Sequence, residues 1–181
     1  RRVLFRSDLN IGQFFNLKLV GRLATNNDNL DSLMLITTQN FNAINKYLQE
    51  NRRANLSILF LVGGWMEAVH INCKMSMDNP EVGSLAERIG EQKIILENIM
   101  LLMSFYAETD PNIKELHEDM KKLQEAYGNI QITYTYAEPT TEVVDGVLVI
   151  KDNSTSTVHI TQDNVKEIDS VINTIRNKLT S

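Results

Sequence analysis

Glu67 and His70 stand three residues apart in GGWMEAVH, residues 63–70, the stretch of this 181-residue chain with the residue types best suited to chemistry. In a helix that spacing places a carboxylate and an imidazole on one face, the E-x-x-H pair that ferritin-like bundles use twice around a di-metal centre. Such a centre also takes a glutamate from each of two further helices. The chain has three histidines, His70, His117 and His159. His117 follows Glu115 by two positions and adjoins Glu118, and His159 falls in a strand-like stretch, so no second pair is present. Glu87 and Glu91 lie one turn apart and could add carboxylates, but acidic residues at that spacing more often face water. The expectation is no metal and no cofactor.

The glycine pair before Glu67 carries its own question. Each glycine inside a helix costs about 1 kcal/mol relative to alanine, so Gly63 and Gly64 should have an offsetting role. One reading is close approach of a neighbouring helix, with Trp65 packed beside the contact. The other is a pocket opened by the missing side chains, with Glu67 one turn from Gly63 as its polar group. Gly63, Gly64, Trp65, Glu67 and His70 are therefore the candidate binding residues. Close approach predicts that Gly63→Leu destabilises the fold by overpacking.

Cys73 is the one cysteine, which excludes an internal disulfide and any zinc site built from several cysteines. Beside Lys74 at a helix end, it reads as a buried structural thiol, with no nucleophile elbow around it or around any serine. The glycine pair lacks the spacing of a phosphate-binding loop. Tyr134 and Tyr136 alternate in a strand pattern and do not suggest a stacking platform. These residues support no enzyme.

The elements that must position them follow from periodicity. A short helix is expected over 13–24. Asn29 can cap a second, in which Leu30, Met34, Thr37, Phe41, Ile44 and Leu48 recur at steps of four and three. NRRAN, 51–55, makes a corner. The helix over 57–73 is apolar around much of its circumference and should be the most buried element. Asn79 and Pro80 suit the N-cap and first turn of the next helix. Its stripe is Leu85, Ile89, Gln92, Leu96, Ile99 and Met103. Asp110 and Pro111 repeat the device before Ile113, Leu116, Met120, Leu123 and Tyr127, with Gly128 as the stop. Strand-like alternation follows at 131–137. Asp145-Gly146 lies between two β-branched runs as in a hairpin, and a further strand spans 157–161. Thr161 then caps a closing helix with Val165, Ile168, Ile172, Ile175 and Leu179 on one stripe. The fold class is mainly α: an antiparallel multi-helix bundle with a small β-hairpin or meander excursion at about 130–161 and a closing C-terminal helix.

A chain of this length can bury a full core and is most simply one domain. Its formal charge of −5 argues against general nucleic-acid binding, which needs clustered Lys and Arg. The longest apolar run, 58–66, contains both glycines and falls far short of the ~20 residues that cross a bilayer. The opening RRVLFRS is at odds with this acidic chain. Written as the codons AGA CGT GTG CTC TTC CGA TCT, it coincides with the end of a common sequencing-library adapter. Residues 1–7 are accordingly expected to be translated adapter, with 8–181 as a single domain truncated at its N-terminus.

Several blocks resemble one family. NNDNLDSLMLIT at 26–37, NRRANLSILFLVGGWMEAVHI at 51–71, GEQKIILENIMLLMSFY at 90–106 and VINTIRNKLTS at 171–181 are similar to exported, mainly helical lipoproteins associated with the Bacteroidota. The resemblance implies a signal peptide and a lipid-accepting cysteine upstream, and hence a periplasmic or other extracytoplasmic protein that meets the membrane only through its anchor. It is carried by helix-packing blocks and transfers no functional residues. The leading expectation is a non-catalytic binding or structural protein of unknown ligand and partner. Two alternatives stand beside it: a metal-dependent carboxylate/histidine oxidoreductase with part of its site in the lost N-terminus, and a cytoplasmic helical regulator or adaptor.

Overall fold

The computed structural model describes residues 30–144 and 147–180. The expectations for residues 1–7, for the helix over 13–24, for Asn29 and for the Asp145-Gly146 turn lie outside the described residues. The elements in order are α1 Leu30–Glu50, α2 Ala54–Asp78, α3 Gly83–Ala107, α4 Pro111–Ala126, β1 Gln131–Thr135, β2 Thr140–Val144, β3 Val147–Lys151, β4 Thr155–His159 and α5 Gln162–Thr180. This is the mainly helical fold with a small antiparallel excursion and a closing helix that the periodicity predicts. The chain divides into two compact units, Arg1–Phe60 and Leu61–Ser181, with the boundary inside α2.

In the first unit, Ile44 and Leu48 of α1 are buried, with Tyr47, Leu56 and Phe60 packed against them. Phe41 stacks on Phe60 with ring centroids 4.5 Å apart, and Ser57 Oγ donates to Asn45 Oδ1. The expected α1 stripe is buried only toward its C-terminal end, since Met34 is 60% exposed. The corner after α1 is a Schellman cap. Arg53 N–H donates to Leu48 O and Arg52 N–H to Gln49 O, and Arg52 takes φ 57° in the left-handed position that glycine ordinarily fills.

In the second unit α2 buries one stripe, Val62, Met66, Val69, Cys73 and Ser76, and leaves Leu61, Ile71 and Met75 exposed. It is therefore not the most buried element. Polar Glu67, His70 and Lys74 lie between those two faces and reach α5 instead of water alone. By length and composition α2 could cross a membrane, because a 25-residue helix extends well beyond the nine-residue run on which the sequence reading relied.

Asn79 and Pro80 do not begin α3. Asn79 Nδ2 donates back to Met75 O at 2.8 Å, so its amide serves the end of α2, and α3 starts at Gly83 with no side-chain cap. The α3 stripe is as expected, with Ile89, Leu96, Ile99 and Met103 buried. Asp110 caps α4 as predicted: its Oδ1 accepts from Asn112 N at 2.9 Å and Ile113 N at 3.3 Å, with Pro111 in the first turn. All five residues of the α4 stripe are buried. Gly128 follows the Tyr127 C-cap of this helix, at a point where a Cβ would meet Glu125 O at 2.9 Å.

The strands form two nested antiparallel pairs. β1 pairs with β4 from Gln131↔His159 to Thr135↔Thr155, and β2 pairs with β3 between them, from Thr140↔Lys151 to Val144↔Val147. The last strand ends at His159, short of 161, because Thr161 is already the α5 cap. Its Oγ1 accepts from Asn164 N at 3.2 Å, and Asn164 Oδ1 accepts from Thr161 N at 3.0 Å, a reciprocal capping box. Val165, Ile168, Ile172 and Ile175 of α5 are buried, whereas Leu179 is exposed. Lys178 ties α5 to α4 through Asp119 Oδ2 at 2.6 Å and Glu115 Oε1 at 2.8 Å.

Candidate functional site

The polar edge of α2 carries Glu67, His70 and Lys74 at steps of three and four, so all three point the same way. They meet α5. Arg176 donates to both carboxylate oxygens of Glu67, Nε to Oε2 and Nη2 to Oε1, each at 2.8 Å. His70 Nδ1 lies 2.8 Å from Asp169 Oδ1, and Lys74 Nζ donates to Asp169 Oδ2 at 2.8 Å. Asn173 Nδ2 adds a donor at 2.9 Å from within α5. A carboxylate can only accept, so Nδ1 of His70 carries the proton. Further along, Gln162 Nε2 donates to Ser76 Oγ at 3.2 Å.

The two halves of this array differ in burial and hence in weight. The Asp169 side chain is 8% exposed, and a charge so far from water is tolerated because three donors surround it. The Glu67–Arg176 fork sits at the rim, with the glutamate side chain 51% exposed. Solvent competes there, which limits such a pair to about 0–1 kcal/mol.

The sequence candidates are thus partly brought together. Glu67 and His70 share one edge, but each faces a partner on α5. Trp65 points elsewhere and donates from Nε1 to Gln92 Oε1 of α3 at 3.0 Å. Among the described residues Gly63 is not a point of close approach: a Cβ built there meets nothing within 4 Å, and Gly64 is exposed. A methyl group at Gly63 would therefore overpack none of the described residues. The glycine pair lies between buried Val62 and Met66 of the α2 stripe and directly before Trp65, the tie to α3.

Close approach occurs instead at Gly90, which the sequence reading passed over. A Cβ there would run into Val158 Cγ1 and sit 3.4 Å from Ile130 Cγ2 and 3.5 Å from Ile160 Cδ1. Gly90 is where β4 lies on α3. Its signal in the sequence was the small pair Ala86 and Gly90 one turn apart, on the flank of the α3 stripe. Asp169 and Arg176 were also missed. Asp169 follows Val165 by four and precedes Ile172 by three, a spacing that already puts its carboxylate on the inner face of α5.

Cys73 is fully buried. Burial, with the Asp169 carboxylate nearby, pushes its thiol up to about 12, outweighing the opposing Lys74 charge. A thiol so poised is a poor nucleophile at neutral pH. Burial likewise raises the Tyr127 phenol, whose OH donates to Ile89 O at 3.2 Å. Among the described residues no three His, Cys, Asp or Glu side chains gather as metal ligands. The arrangement can clamp α2 to α5; it presents no activated nucleophile. The chain matches no protein-family model, no curated protein and no solved structure.

Proposed function

We propose that the chain is a non-catalytic helical-bundle protein with a binding or structural role, working outside the cytoplasm and held to a membrane by a lipid on its full-length form. One observation carries the non-catalytic part. Glu67 and His70, the pair best suited to a metal, are engaged by Arg176 and Asp169 at 2.8 Å. A metal would have to displace a bidentate guanidinium and turn an imidazole away from a buried carboxylate, each at a cost in desolvation and lost hydrogen bonds. The extracytoplasmic part is supported by the four helical blocks that resemble exported lipoproteins.

Two measurements test the reading. Elemental analysis of the purified chain should find no stoichiometric iron, manganese or zinc; a stoichiometric metal lost on Glu67→Gln would replace the proposal with a metal-dependent oxidoreductase. Sequencing the source DNA upstream of the Asp8 codon should reveal an export signal followed by a lipid-accepting cysteine. A native start codon joined to RRVLFRS without such a signal would favour a cytoplasmic regulator.

A further inference from the structure

The ribbon formed by β2 and β3 is unlike the rest of the second unit. Val147, Leu148, Val149 and Ile150 occupy four successive positions of β3, so they lie on both faces, and all four are exposed, at 64%, 64%, 39% and 68%. A two-stranded ribbon that wets large apolar residues on both faces is marginal in water. The sheet has no third strand among the described residues, so the outer edge of β3 also offers unpaired backbone groups. Edges of this kind are usually blunted by a charge or a proline; residues 147–150 contain neither.

The two edges of the ribbon differ in what they can accept. Pairing β2 antiparallel with its own copy about its centre would set Glu142 directly against Glu142, like charges facing each other. Pairing β3 with its own copy about Val149 sets Val149 against Val149, and Leu148 against Ile150 in both directions, with Lys151 at the ends. The backbone agrees with this register. Val144 and Val147 face each other across a two-residue connection, so Val147 and Val149 spend their N–H and C=O on β2. Leu148 and Ile150 turn theirs outward. Those outward groups would then bond reciprocally between copies, while Val149 meets its copy at the non-hydrogen-bonded site on the two-fold axis, where Cα atoms approach to about 4.5 Å. A patch that complements itself about a two-fold axis is what a symmetric dimer requires.

We propose that β3 is a self-association edge: two copies of this chain pair β3 antiparallel about Val149, making a four-stranded sheet ordered β2-β3-β3-β2. With only five residues a side the contact is small, and the dimer is a weak, concentration-dependent one. A second copy fits this edge because the register about Val149 sets no like charges opposite one another and Leu148 and Ile150 turn matching backbone groups outward.

The test is the mass of the full chain in sedimentation equilibrium, with two kinds of variant. The unmodified chain should shift from monomer to dimer across the micromolar range. Val149→Lys should abolish the dimer, since two ammonium groups would meet on the axis. Its own hairpin should persist, because residue 149 faces Glu142 on β2. In a separate variant, Val149→Cys should cross-link to a covalent dimer under mild oxidation, as disulfides bridge Cα atoms at 4.4–6.8 Å. Val147→Cys should not, having Lys151 opposite it. Buried Cys73 does not compete. A chain that stays monomeric, as expected if a foreign strand is the true occupant, overturns the proposal. So does a dimer that survives Val149→Lys, or cross-linking at 147 as efficient as at 149.

Discussion

His70 Nδ1 and Asp169 Oδ1 lie 2.8 Å apart although 99 positions separate them in the chain. That contact joins the second and last helices at a point where water has little access, and it gives Asp169 a structural role. Asp169→Ala would strand the His70 and Asn173 donors. It should lower unfolding free energy by about 2–4 kcal/mol, less than a fully buried pair because Lys74 can return to solvent. Glu67→Ala, at the exposed end of the same edge, should cost about 1 kcal/mol or less. Urea denaturation of both variants measures the contrast, and equal losses would refute the difference in weight assigned to the two ties.

The two glycines at issue should respond in opposite directions. Gly63→Ala gains helix propensity in open space and should stabilise by about 0.5–1 kcal/mol. Gly90→Ala drives a methyl group into Val158, whose branched side chain has little room to turn, and should destabilise by about 1–3 kcal/mol. Thermal melts of the pair suffice; a destabilised Gly63→Ala would show that α2 has a close neighbour at that point after all.

Cys73 makes stability depend on alkaline pH. Its thiol is raised from an ordinary 9.0 to about 12 in the folded chain. Between those values the unfolded chain gives up the proton and the folded chain keeps it, so the unfolded state binds fewer protons. The contribution of the buried thiol is complete below pH 9 and falls as pH rises toward 12. Urea midpoints recorded across this range should decline less steeply in Cys73→Ala than in the unmodified chain. Iodoacetamide at about pH 8 should label Cys73 only when the chain is unfolded.

Arg52 holds φ 57° in the cap after α1, a conformation that crowds its Cβ against the backbone by roughly 1–2 kcal/mol. Arg52→Gly removes that strain, part of which is offset by the greater freedom of glycine in the unfolded chain. A net gain of about 0.5–1 kcal/mol is expected by calorimetry. Arg52→Val should lose stability, since a branched side chain suits this backbone region least.

Local chemistry was enough to read much of this molecule from its sequence. The Asp110-Pro111 start of α4, the Thr161 cap of α5, the β2–β3 hairpin and the α3 and α4 stripes each depend on residues near one another in the chain, and periodicity reports such relations directly. Tertiary structure decided the rest, including the pairing of β1 with β4 between residues as far apart as Gln131 and His159. Asn79 looked like the start of a helix, yet its amide turned back to serve the end of the preceding one, because either helix terminus can use the same side chain. Gly63-Gly64 drew attention by being adjacent, but whether a glycine marks a close contact depends on what lies across from it; β4 came to rest at Gly90. Glu67 and His70 had the spacing of a metal pair, and the partners they meet are Arg176 and Asp169, about a hundred residues away, where α5 folds back along α2. A sequence lists which groups can bond or pack, and only the long-range fold chooses among partners of equal chemistry.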